Sequence, residues 1–331
     1  RNHDKSAVSA ALERLSDEVT FYKVLQYLFF TQWTAFKTYT NGNGISLIGD
    51  LPIYVAYDSA DVWAPPELFQ LAEDRCPIKV AGCPPDGFSA TGQLWGNPLF
   101  DWNYMERTGY DWWIRRITYL CSVYDILRID HFRGFDSYYT IPYGSDDACG
   151  GTWEQGPGMK LFQMLNQKAG RQHIIAEDLG FLTDSVRQLL ADSGFPGMKV
   201  LELAFDSRDA TAADYLPHNF IPHCVAYAGT HDNDTINGWF TSAAKEDTAY
   251  AKDYMALPEK GPYHWNVMKC LWASSADMTI VQAQDLLGLG SDCRMNTPST
   301  ANGNWRWRAE EGSFTDELAE KLAGYMKLYE R

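Results

Sequence analysis

At 331 residues, 45% of them hydrophobic, the chain can bury a large core, and because α/β barrels of about 250 residues fold as one unit, a single domain spanning 1–331 is expected. Its formal charge of −15 opposes phosphate backbones and anionic membrane surfaces, which require clustered Lys and Arg, so neither nucleic acid nor membrane is an expected partner. No run approaches the ~18 apolar residues of a membrane span and nothing resembles a signal peptide; the cysteines at 76, 83, 121, 149, 224, 270 and 293 form no Cys-x-x-Cys pair and read as reduced thiols of a cytoplasmic protein.

Residues 6–40 contain no Gly or Pro and carry apolar side chains at 8, 12, 15, 19, 22, 25, 29, 33 and 36, a spacing that predicts an amphipathic helix. Asn41-Gly-Asn-Gly44 ends it. A strand over 45–50 follows and delivers Asp50, and Pro52 prevents it from continuing as a regular central strand. The chain starts at Arg1 rather than Met, directly in this helix, so a fragment of a longer protein is expected. Residues 80–99 hold four Gly and three Pro and are expected to form a long ordered loop, with Phe88, Leu94 and Trp95 arguing against disorder; the reading is a lid over a site.

A helical segment over 104–124 leads into Asp-Ile-Leu-Arg-Ile-Asp-His-Phe-Arg-Gly-Phe at 125–135, the stretch around which the rest is organised. A strand here points Arg128 and Asp130 to one face and Leu127 and Ile129 to the other. The adjacent cation favours an ionised Asp130, which suits a nucleophile or an electrostatic stabiliser better than a proton donor. Residues 136–157, aromatic and Gly-rich, are read as the loop after this strand. Then come a helix over 158–169, a strand at Ile174–Glu177, and a helix capped by Thr183 or Asp184 that Gly194-Phe-Pro-Gly197 terminates. Further strand-length apolar runs ending near a carboxylate are Val200–Asp206, Val225–Asp232 and Ile280–Asp285. Residues 239–275 read as helical with a break at 258–262, and 315–329 as a charged amphipathic helix.

Strands alternating with helices imply a parallel sheet, which gathers the C-terminal strand ends, and here the carboxylates, on one side. Aromatics are 14% of residues, more than such a core needs, and aromatic faces with polar tips suit sugar rings. A calcium loop at 232–238 fails on its glycine spacing. There is no Gly-x-Ser-x-Gly, His-Glu-x-x-His or phosphate-cradling loop.

The stretches Gly49–Val55, Ala81–Asp86, Thr91–Pro98, Leu127–Gly134, Ile175–Gly180, Gly229–Asp234 and Gly303–Arg308 closely resemble the amylomaltases, the 4-α-glucanotransferases of the α-amylase clan. The resemblance implies a (β/α)8 TIM barrel, of which about six strands are visible, so an incomplete barrel lacking the first two strands is expected. It implies Asp130 as nucleophile, Glu177 as general acid/base and Asp232 as transition-state stabiliser. Asp50, Arg128 and His231, with Asn304, would hold the sugar, and the 80–99 lid would bring Gln93 and Trp95 over it. The implied activity is transfer of α-1,4-glucan segments between maltooligosaccharides by a retaining double displacement, without metal or organic cofactor, in cytoplasm or, for a plant source, in plastids. The alternatives are an α-glucan hydrolase of the same clan and a non-catalytic glucan-binding remnant.

Overall fold

Helix formation begins at Asp4, whose carboxylate accepts the Ala7 N–H and caps α1 (Lys5–Arg14). After a break at Leu15, α2 (Ser16–Gly42) runs to the glycine that the sequence marks. The computed structural model describes residues 4–85, 89–180, 182–298, 300 and 302–331. Asp86, Gly87 and Phe88 of the expected lid therefore lie outside the described residues. The chain divides into two compact units, Arg1–Phe195 and Pro196–Arg331.

In the first unit, α2 is followed by β1 (Ile48–Leu51), a short α3 (Ala60–Trp63), β2 (Lys79–Cys83), β3 (Gln93–Pro98), α4 (Trp102–Arg107), α5 (Asp111–Val123), β4 (Ile126–Ile129), β5 (Ser137–Pro142), β6 (Thr152–Gln155), α6 (Met159–Ala169), β7 (Ile174–Ala176) and α7 (Asp184–Ser193). Strands β1, β4 and β7 form a parallel sheet in that order. Behind it α5 and α6 bury Trp113, Ile117, Leu161, Phe162 and Leu165 against Leu127, Phe132 and Phe135. Burying each such side chain contributes about 1.5–3 kcal/mol. Gly49 is required by this arrangement: a Cβ there would lie 2.0 Å from the Tyr124 ring, which Trp33 of α2 backs edge-on at 5.6 Å.

The α2 helix is joined to this body along one side only. The Trp33 indole N–H donates to the Val123 carbonyl and Lys37 pairs with Asp125. Tyr22, Leu25, Phe29 and Phe36 of the predicted apolar stripe are exposed, as are Phe21, Tyr27 and Tyr39 beside it, so much of that stripe faces outward.

Two expected loops contain strands. The 80–99 stretch holds β2 and β3, paired antiparallel with a register shift between Val80 and Gly82. Its glycines permit close approach rather than breaking the pairing, since a Cβ on Gly82 would meet the Gln93 carbonyl at 2.3 Å. Within 136–157, β5 and β6 pair so that Tyr139 faces Trp153 across the strands, and such aromatic pairs stabilise an antiparallel ladder despite flanking glycines. The result is a four-stranded sheet, β3-β2-β5-β6.

The second unit gives β8 (Gly197–Val200), β9 (Cys224–Tyr227), α8 (Ile236–Ser242), α9 (Lys245–Tyr254), α10 (His264–Trp272), β10 (Met278–Ile280), α11 (Ala283–Leu286) and α12 (Asp316–Tyr329), with a parallel sheet ordered β10-β9-β8. Here the expected strand at 200–206 shifts: the strand is 197–200, and Leu201–Phe205 is a 3-10 turn that buries Glu202. Asp285, expected at a strand end, lies in α11 and is fully buried. The fold is mixed α/β with parallel strands in both units. Among the described residues no helix is long and apolar enough to cross a membrane.

Candidate active site

Backbone hydrogen bonds fix the two leading carboxylates of the first unit. Past the end of β4, the Asp130 N–H donates to the Leu51 carbonyl at 3.0 Å; past the end of β7, the Glu177 N–H donates to the Ile129 carbonyl at 2.9 Å, and the Glu177 carbonyl accepts the Phe132 N–H at 3.0 Å. Because Ile129 pairs with Ala176, Asp130 and Glu177 continue the same register on adjacent parallel strands, about 4.8 Å apart.

Alternation along β4 puts Arg128 on the face of Asp130, as expected from the sequence. Its guanidinium lies 3.0 Å from Asp130 Oδ1 and 2.7 Å from Asp50 Oδ2. Asp50 is the register partner of Arg128 on β1. Burial opposes the guanidinium charge, but Asp130, Asp50 and Glu177 together outweigh it and raise the pKa above the usual arginine value. One fixed cation thus serves two carboxylates that are each about 40% exposed, 42% for Asp130 and 41% for Asp50.

Glu177 has the opposite environment. Burial first, then the nearby Asp130 charge, push its pKa up to about 7, against the pull of Arg128 and of two backbone donors. Those donors are the His131 N–H, 2.6 Å from Oε2, and the Leu179 N–H, 2.9 Å from Oε1. His131 presents its N–H by adopting a left-handed backbone, φ 52°. Its ring is buried, which pulls its pKa down to about 3 and keeps it neutral. Gly134 makes room for this turn, since a Cβ there would stand 2.6 Å from Ile53 and 3.2 Å from the His131 ring.

The β3 strand brings Trp95 over the same turn. Its ring stands edge-on to His131 at 5.0 Å, and its indole N–H donates to Gln93 Oε1 at 3.0 Å. Six residues singled out in the sequence, Asp50, Gln93, Trp95, Arg128, Asp130 and Glu177, therefore form one connected group within the first unit.

The remaining three lie in the second unit. Past the end of β9, His231 Nε2 is 3.4 Å from Asp232 Oδ2, and Asn296 donates to Asp232 Oδ1 at 2.5 Å. Arg294 donates to the Asp232 carbonyl at 2.5 Å, and the Trp305 ring lies 5.0 Å from His231. Asn304 braces its own turn, accepting the Thr297 N–H at 3.0 Å and donating to Thr300. His131, Arg294, Asn296 and Trp305 were not singled out by sequence reasoning. His131 acts through a backbone angle that its side chain does not announce. Arg294 and Asn296 act across a sequence gap of some sixty residues.

Among the described residues no group of three or more His, Cys, Asp and Glu side chains is arranged to hold a metal ion. What the first unit does provide is an ion-paired carboxylate beside a proton-retaining one. That division suits two-step displacement at an acetal carbon.

The family model described as 4-alpha-glucanotransferase matches residues 1–314. A 4-alpha-glucanotransferase of Clostridium butyricum is 48% identical over 321 residues, 96% of this chain and 66% of that protein. One from Streptococcus pneumoniae is 45% identical, covering 100% of this chain and 65% of the relative. A solved amylomaltase from Streptococcus agalactiae in complex with acarbose superposes with a TM-score of 0.94 at 42% identity, covering 100% of this chain and 66% of that one. The chain thus spans about two thirds of the length of the curated relatives it matches.

Proposed function

The chain belongs to the 4-alpha-glucanotransferase family, and from that premise we propose that it transfers α-1,4-glucan segments between maltooligosaccharides by a retaining double displacement. The observation that carries this reading is the opposed electrostatics of two register neighbours: Arg128 pairs with Asp130 at 3.0 Å while the Glu177 pKa is raised to about 7. Asp130 attacks the anomeric carbon as Glu177 gives its proton to the leaving glycosidic oxygen, and a glucosyl ester forms. The 4-hydroxyl of a second glucan then loses its proton to Glu177 and attacks the same carbon, releasing Asp130. Retaining chemistry needs carboxyl groups ~5–5.5 Å apart, a distance compatible with adjacent strands. Asp232 is assigned to stabilising the positive charge on the ring, a role supported by its family motif and by the Asn296 hydrogen bond that orients it. Asp50, Arg128, His231 and Asn304 are assigned to holding the sugar, and the β2–β3 segment with Gln93 and Trp95 to covering it and excluding the competing water.

We read each three-stranded parallel sheet as part of a (β/α)8 barrel wall, and the free thiols as fitting a cytoplasmic setting. The deciding experiment incubates the chain with maltotriose and separates the products. Transfer gives glucose together with longer oligosaccharides; glucose and maltose alone mean hydrolysis, and no turnover removes the proposal for this chain. Asp130→Asn and Glu177→Gln should each lower transfer by about 10²–10⁴-fold or more. Glu177→Gln should be partly spared with an α-glucosyl fluoride donor, whose leaving group needs no proton.

A further inference from the structure

The segment that carries Asp232 rests on a second set of acidic side chains that the reaction does not use. Glu202 follows β8, Asp234 lies on the β9–α8 connection, and Gln282 and Asp285 follow β10. Gln282 Nε2 donates to the Asp234 carbonyl at 2.9 Å, Asp285 Oδ1 accepts the Ile236 N–H at 2.7 Å, and the Asn233 side chain hydrogen-bonds the Glu202 carboxyl. These groups tie down the connection on the C-terminal side of Asp232, and on its N-terminal side the Glu202 N–H donates to the Ala228 carbonyl at 3.2 Å. They converge on Gly229, where an added Cβ would stand 3.2 Å from Glu202 Oε1 and 3.0 Å from Gln282 Nε2.

The hydrogen-bond inventory there does not balance. Glu202 is 8% exposed and Asp285 0%, and the buried oxygens Glu202 Oε1, Gln282 Oε1 and Asp285 Oδ2 all lack a hydrogen-bond partner. Each is an acceptor. Buried acceptors without donors are costly, and an ionised carboxylate among them more so. A proton on each carboxyl would remove its charge and supply the set with a donor of its own.

We propose that Glu202 and Asp285 are positioning residues that work as neutral carboxylic acids, their O–H groups donating within this cluster so that the 228–236 connection holds Asp232 in place. The inference deepens the proposed function and rests on its role for Asp232. Burial, then the charges of Asp285 and Asp234, keep Glu202 well above the ordinary carboxylate range; burial likewise raises Asp285 to about 7, with Asp234 adding to it against the Ile236 N–H. Arg294 also faces Glu202 and donates to the Asp232 carbonyl. His264 of α10 lies beside Asn237 and Gly288.

Two measurements independent of turnover decide the protonation. Infrared difference spectra between about pH 5 and pH 9 should show a protonated-carboxyl carbonyl band in the parent that weakens in Glu202→Gln and in Asp285→Asn. An acid with a raised folded pKa binds extra protons when native, so stability falls as pH climbs from ~4 through the folded value. The melting temperature of Glu202→Gln should accordingly gain on the parent between about pH 5 and pH 8. A band unchanged in both variants, or a Gln variant that melts below the parent by a constant margin across that range, overturns the neutral-acid inference. Positioning is read in transfer kinetics: Glu202→Ala should lower kcat about tenfold or more with KM little changed, and Glu202→Gln should restore kcat to within about threefold. Equal loss in both variants overturns the positioning role. If the parent chain shows no transfer at all, the proposed function fails while the infrared and melting results still decide the cluster.

Discussion

At the scale of single residues, the chemistry is a matter of which carboxyl keeps its proton. In the proposed transfer Glu177, raised to about 7, gives its proton to the first leaving group, so kcat/KM should fall as pH rises through about 7. Arg128 pulls Glu177 down; Arg128→Gln should therefore move that alkaline limb to higher pH while lowering the rate by about tenfold or more, since Asp130 loses the cation that faces it at 3.0 Å. A pH–rate profile on maltotriose checks both, and an unmoved limb would break the assumed link between Arg128 and Glu177. The Arg128–Asp130 relation was legible in the sequence because strand alternation alone places i and i+2 together. His131 was not, because its contribution is a left-handed backbone, φ 52°, at a residue type whose side chain gives no sign of it. Arg294 and Asn296 were equally hidden, since nothing local says that they meet Asp232.

Among secondary-structure elements, the parallel strands were readable from a repeated pattern of apolar run, carboxylate and turn. The antiparallel pairs β2–β3 and β5–β6 were not, because glycine and proline composition suggests loops, whereas pairing depends on cross-strand partners such as Tyr139 and Trp153 that only register reveals. The 200–206 misreading has a similar origin: Gly197, read as part of a helix stop, opens β8, and its strand ends three residues later at Val200. Close approach between elements also makes a prediction. Gly49→Ala would put a methyl 2.0 Å from a Tyr124 ring that Trp33 prevents from retreating, and should destabilise the chain by about 1–3 kcal/mol or more. Urea unfolding followed by tryptophan fluorescence measures it; a midpoint equal to the parent's would mean that the ring can move after all.

For the whole molecule, net charge and the proposed substrate are decoupled. A formal charge of −15 repels other copies of the chain but neither attracts nor repels a neutral oligosaccharide, so KM for maltotriose should change less than about twofold between 20 and 500 mM salt. A steep salt dependence would point instead to a charged substrate. Added electrolyte should matter elsewhere. The outward row of Phe21, Tyr22, Tyr27, Phe29, Phe36 and Tyr39 on α2 lies on a molecule kept apart by like charge, and screening that charge leaves the rings free to adhere. Turbidity should accordingly appear at modest ammonium sulfate concentrations, and the chain should elute late from a phenyl-substituted resin. Phe21, Phe29 and Phe36 replaced together by serine should bring elution forward while leaving sugar turnover where it was.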